Sequence, residues 1–222
     1  MRIIIKIATY NTKGSAGKTP ISTSIALDYD FAMATNEVFN VTHMIFPQKK
    51  FLCMEHDQPF PKFSEDISMV FDLAGAISGS AKSIVSALKQ VDVVIVPIYA
   101  EKQSRISGVE TIREIAAYTK NIVVVATKLE KEDREVLPDK DDWRTSKQYK
   151  KIKKFVHEQV EDILGYKPEV YPLRFSKAYK NVTDKGLSIR EMANASPLSK
   201  HTYKGVLKEY NDLCNAVMKY AK

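Results

Sequence analysis

The sequence predicts an α/β protein built on a doubly wound, mostly parallel sheet flanked by helices. Three observations predict it. Apolar runs at residues 3–8, 68–73, 92–98 and 121–126 are short and continuous, the pattern of strands buried on both faces. Segments with helical spacing of apolar residues stand around them, at 20–28, 80–89 and 105–118. Strand alternating with helix at this cadence requires right-handed crossovers, and ligands of such sheets sit at the C-terminal strand ends. The 222 residues fit one domain spanning 1–222, and 44% hydrophobic residues can supply its core.

The first strand-to-helix junction reads Asn11, Thr12, Lys13, Gly14, Ser15, Ala16, Gly17, Lys18, Thr19, Pro20. A loop of small residues between strand and helix turns successive backbone N–H groups onto an anion, where the helix dipole also favours negative charge. Lys18 is expected to reach the β- and γ-phosphates of a nucleotide and the Thr19 hydroxyl to ligate Mg²⁺. Pro20 gives up an N–H that has no helical partner at a helix start. The general pattern G-x-x-x-x-G-K-[ST] asks for glycine where Thr12 stands.

A more specific pattern fits. Lys13-Gly14-x-x-Gly17-Lys18-Thr19 resembles the deviant Walker A loop, K-G-G-x-G-K-T, of the ParA/MinD family of ATPases, with Ser15 in place of the second glycine and Pro20 in place of Thr or Ser. The resemblance implies the P-loop NTPase fold, ATP and Mg²⁺ as cofactors, and a homodimer formed around ATP in which Lys13 reaches the partner's phosphates. Asn11 and Thr12 resemble the partition branch, N-x-K-G-G-x-G-K-T, rather than MinD-type loops, which carry glycine at the site of Thr12. The partition branch implies non-specific DNA and a small centromere-binding adaptor protein as partners. A MinD-like membrane-associated ATPase and a nucleotide-dependent module with little hydrolysis are the alternatives.

The other candidates follow in chain order. A strand is expected over 30–35. The family's second strand ends in D-x-D-P-Q, whose second aspartate helps to activate the attacking water; this chain has no such motif. Asn36-Glu37 and Phe46-Pro47-Gln48 are the two possible counterparts, with Glu37 the candidate catalytic carboxylate. A short strand is expected over 51–54. The run at 68–73 delivers Asp72, followed by Gly75, which resembles the Walker B and switch II segment: Asp72 would hold Mg²⁺ through water and the Gly75 N–H would sense the γ-phosphate. Thr127 and Lys128 follow the strand ending at 126, near where the family's adenine contacts lie. Residues 130–147 read as a polar connection outside the core, 149–164 as a helix, and 169–173 as a late strand. Residues 174–179 resemble the family's R-x-S-x-A-like loop and 185–189 its G-x-S-[IL] turn.

Charge is unevenly spread. The net charge of +7 resolves into +9 from 144 to 222, with 17 Lys and Arg against 8 Asp and Glu, and −2 before it. A basic last third suggests an anionic partner. The lysine face of the 149–164 helix, with Lys151 and Lys154, and the segment carrying Arg174, Lys177 and Lys180 are the candidate DNA contacts. The last helix, expected over 201–220, has an apolar stripe without Trp or Phe, and Glu209 and Asp212 dilute its basic face, so packing on the domain is expected over membrane binding. No run reaches 18 apolar residues and Met1 leads straight into the first strand, so the expected location is cytoplasmic, with nucleoid association. Cys53 and Cys214 are expected as core thiols.

Overall fold

The computed structural model describes residues 3–38, 41–75, 81–139 and 141–222. Its sheet has seven strands, β1 Lys6–Thr9, β2 Ala32–Thr35, β3 Phe51–Cys53, β4 Met69–Asp72, β5 Val93–Ile98, β6 Ile122–Leu129 and β7 Val170–Arg174. Their order is β3-β2-β4-β1-β5-β6-β7, and every pairing is parallel. Alternate residues of each strand enter two separate cores. Ala8, Phe71, Val94, Val96 and Val124 face one side; Ile7, Val70, Val93, Ile95 and Val125 face the other. Both faces are covered, which is why the strands read as unbroken apolar runs.

Seven helices do the covering among the described residues: α1 Lys18–Asp28, α2 Lys82–Leu88, α3 Lys102–Ile115, α4 Lys147–Leu164, α5 Lys177–Lys185, α6 Ile189–Asn194 and α7 Pro197–Met218. The first core takes α2, α3 and α4; the second takes α1, α5, α6 and α7. Local chemistry sets the later boundaries. Ser146, Ser176, Ser188 and Ser196 cap the N-termini of α4, α5, α6 and α7, Ser188 in a capping box with Glu191. Gly165 and Gly186 end α4 and α5 in the left-handed conformation.

Several expectations need correction. The segment after β7, read as a loop, is helix α5 from Lys177 onward, and α7 starts at Pro197 rather than at 201, because proline in a first turn forfeits no helical hydrogen bond. β6 runs on to Leu129, through Thr127 and Lys128, with an irregularity between Ala126 and Leu129 where Lys128 takes a positive φ of 53°. The polar connection at 130–147 contributes Leu137 and Trp143 to the first core. Cys53 is exposed, since β3 is the edge strand; Cys214 is buried. Ser80, the expected start of the second helix, lies outside the described residues, as does Met1.

Candidate functional site

A cavity of about 860 Å³ opens at the C-terminal ends of the strands. Residues 14–21 form its floor, Glu37, Val38, His56, Ala74 and Gly75 one wall, and Thr127, Lys128 and residues 173–177 with Tyr179 and Lys180 the other. Strand order explains the division: β2 and β4 lie on one side of β1, and β6 and β7 on the other.

The loop is held by its flanks. The Asn11 carboxamide donates to the Pro97 carbonyl at 2.6 Å and accepts the Lys13 N–H at 2.8 Å. Thr12, at the position where the general pattern has glycine, receives a tie to α3: its N–H donates to Thr111 Oγ1 at 3.1 Å. Thr127 Oγ1 donates to the Ala16 carbonyl at 3.0 Å from the far wall. Ser15 and Gly17 have positive φ angles of 60° and 88°, so the serine stands in a conformation that glycine adopts more readily. No side chain caps α1, whose N-terminal N–H groups are left to an anion.

Charge converges on this floor. Lys18 is 7% exposed, and its Nζ donates to the Lys13 carbonyl at 3.4 Å. Burial pulls its pKa below the ordinary lysine value, while Asp72 and Glu37 act in the opposite direction. Asp72 ends β4 fully enclosed, and burial raises its pKa to about 6 against the pull of the Thr19 hydroxyl, Lys18 and the Ser22 hydroxyl, which lies 3.3 Å away. Thr35 Oγ1 donates to the Asp72 carbonyl at 2.9 Å and accepts the Glu37 N–H at 3.1 Å, tying the ends of β2 and β4 together. Gly75 presses on the loop: a Cβ there would lie 2.7 Å from the Thr12 carbonyl oxygen. A buried carboxylate beside a threonine hydroxyl is a hard oxygen donor set, which fits Mg²⁺. Among the described residues no cluster of three or more His, Cys, Asp or Glu ligands occurs.

The structure thus gathers Gly14, Ser15, Ala16, Gly17, Lys18, Thr19, Pro20, Glu37, Gly75, Thr127 and Lys128 around one cavity, with Asp72 beneath. Lys13 is half-buried and does not line it. Residues 46–48 are also absent from its walls and Phe46 is buried in the second core, so Asn36-Glu37 holds the end of β2. The candidate DNA contacts do not form one surface: Lys151 and Lys154 are exposed on α4, over one face of the sheet, and Lys177 and Lys180 on α5, over the other. Arg174 is not part of an open basic surface. It lies 2.7 Å from Glu209, with its planar guanidinium 5.5 Å from the Trp143 ring centroid and packed against Gly205. Glu209, read as diluting a basic face, is 3% exposed for this reason. Sequence reading named Asn36 only beside Glu37 as a counterpart of the missing motif, and it missed His56 and Phe175. Phe175, 58% exposed on the β7 wall, carried one signal, an aromatic residue directly after a strand.

Comparison with solved structures shows the same architecture. McdA from Cyanothece without ligand superposes with a TM-score of 0.63 at 10% identity, over 96% of this chain and 98% of that one. The chain has the fold of McdA and MinD. An ATP complex of a McdA variant gives 0.58 at 11% identity over 96% of each chain. MinD from Pyrococcus horikoshii, complexed with Mg-ADP, gives 0.51 at 11% identity over 96% and 98%. No family model and no curated protein matches the sequence. In this fold the end carried by β1, β2 and β4 is the end at which the loop, Lys18 and Asp72 meet.

Proposed function

We propose that this chain is a ParA/MinD-type ATPase of the partition kind. It binds ATP with Mg²⁺, dimerises around the nucleotide, hydrolyses it weakly until a partner stimulates it, and holds DNA without sequence preference while dimeric. A small centromere-binding adaptor protein would connect it to its cargo. The convergence of an uncapped helix N-terminus, buried Lys18 and buried Asp72 on one cavity carries this reading. In it, residues 14–20 cradle the phosphates, Thr19 and Asp72 hold the cation, Gly75 meets the γ-phosphate, and Thr127, Lys128 and the β7 wall receive the base. Glu37 is the carboxylate that would take the role of the missing aspartate.

Lys13 is the residue proposed to act across the dimer, and its position off the cavity wall suits a charge meant for a second subunit. Lys13→Ala is expected to retain nucleotide affinity, lose most of its turnover and dimerise poorly with ATP. Phosphate release and sedimentation velocity check this; turnover equal to the parent's would sink the family reading.

DNA rather than membrane is favoured by α7. Its apolar residues Val206, Tyr210, Leu213, Cys214 and Val217 are buried in the second core, and the Lys222 N–H beyond it donates to the Ile4 carbonyl at 3.0 Å. No described helix is long and apolar enough to cross a membrane. Co-sedimentation with duplex DNA and with anionic liposomes, each with and without ATP, separates the two readings. Because phosphate contacts release counterions, whichever of Lys151→Glu and Lys154→Glu on α4, or Lys180→Glu on α5, removes a phosphate contact is expected to flatten the log–log salt dependence of DNA affinity by about one unit. With the α4 and α5 lysines on opposite faces, one set should respond and the other should not. If neither responds, DNA binds elsewhere or not at all.

A further inference from the structure

The wall between Glu37 and Gly75 holds a side chain whose orientation can be worked out from its neighbours. Asn36 is fully buried at the end of β2. Its Oδ1 accepts the Ala74 N–H at 2.7 Å. Its Nδ2 lies 2.9 Å from Ser83 Oγ and 3.4 Å from His56 Nδ1. A backbone N–H can only donate, so the carboxamide oxygen must face Ala74 and the amide nitrogen must face Ser83 and His56. An amide nitrogen is itself only a donor, and His56 Nδ1 is therefore the acceptor. In the neutral ring the proton then sits on Nε2.

That nitrogen has no partner among the described residues, and His56 lines the cavity beside Glu37, Ala74 and Gly75. The backbone of His56 is fixed as well, since its carbonyl accepts from Ser83 Oγ at 3.2 Å and from the Ser83 N–H at 3.4 Å. The result is a pre-set donor on the wall formed by the ends of β2 and β4, opposite the wall of β6 and β7. His56 lines the same cavity as residues 14–21, so a nucleotide with its base toward β6 and β7 and its phosphates over the loop would present its terminal phosphate to this wall.

We propose that His56 binds the terminal phosphate through its Nε2–H, with Asn36 as its positioning residue. The inference rests on the nucleotide reading above and adds to it a side-chain contact, beside the Gly75 backbone, that tells a triphosphate from a diphosphate. General-base action by His56 is excluded by the same tautomer, because the unprotonated nitrogen is turned onto Asn36.

Calorimetric titration of a non-hydrolysable ATP analogue and of ADP into the parent, His56→Ala and His56→Gln tests it. His56→Ala is expected to weaken the analogue about tenfold, the worth of one hydrogen bond to a charged oxygen, with ADP unaffected. Glutamine retains an N–H of similar reach and should recover most of the loss. In the unmodified protein, a long-range ¹⁵N–¹H histidine spectrum should show the Nε2–H tautomer for His56, and Asn36→Asp should shift it by removing the donor to Nδ1. Equal weakening of both nucleotides, no weakening of either, or an Nδ1–H tautomer in the parent overturns the proposal. A parent that binds neither nucleotide overturns instead the reading on which it rests, and ADP binding by the parent distinguishes the two failures.

Discussion

Lys18→Ala is expected to lower affinity for ATP and for ADP by on the order of a hundredfold or more while the protein stays folded. Removing one member of a desolvated charge pair costs roughly 2–5 kcal/mol in binding, since the remaining charge is left without its partner. Lys18 is suited to that role because it is already enclosed and already paid for by its surroundings: burial lowers its pKa, and Asp72 and Glu37 keep a counter-charge in place before any ligand arrives. The Lys13 carbonyl, 3.4 Å from Nζ, is a weak resting partner that a phosphate oxygen can replace. Titration calorimetry reads the affinity, and an unfolding curve in the absence of nucleotide shows that the fold survives. A variant binding ATP within a few-fold of the parent would mean that the backbone cradle alone holds the phosphates. The contrast with His56→Ala is diagnostic, because Lys18 should matter for both nucleotides and His56 for the triphosphate only.

The nucleotide end of the site was legible because its chemistry is local. Residues 11–20 are contiguous, and strand, loop and helix follow from the apolar run, the small residues and the spacing of Ile21 and Ile25, both buried in α1. Asp72 and Gly75 were legible for the same reason, three residues apart at the end of an apolar strand. What the sequence concealed depends on contacts between distant segments. Glu209 reads as a solvent-facing carboxylate on α7 until β7 brings Arg174 within 2.7 Å of it. His56 lies in a stretch without periodicity, and only the fold sets it 3.4 Å from Asn36, twenty positions earlier. Lys151 and Lys180 look like neighbours in one basic region, yet the crossover through β7 sends their helices to opposite faces. Trp143 looked loop-bound because its surroundings are polar, and it is buried where residues 143–145 form a 3-10 turn beneath Arg174.

Asp72→Asn is expected to make the ligand-free protein progressively more stable than the parent as pH rises, by about 3 kcal/mol between pH 4 and pH 7. Burial is the dominant cause of the raised pKa of Asp72, about 6 against an ordinary 3.8. Between those values the unfolded chain has released the proton and the folded one still holds it, so unfolding becomes easier with increasing pH. Above about pH 6 both states are ionised and the penalty is constant; about two pKa units at 1.36 kcal/mol each give the total. Asparagine cannot ionise and has no such slope, while the altered pairing with Lys18 adds an offset that the comparison across pH removes. Urea unfolding of both proteins at several pH values, with chelator and without nucleotide, measures the difference; a difference independent of pH would show that the Asp72 carboxylate is well solvated. In the proposed function the same variant should lose Mg²⁺-dependent affinity for ATP, because the oxygen that costs stability when ionised and enclosed is the one a cation would neutralise.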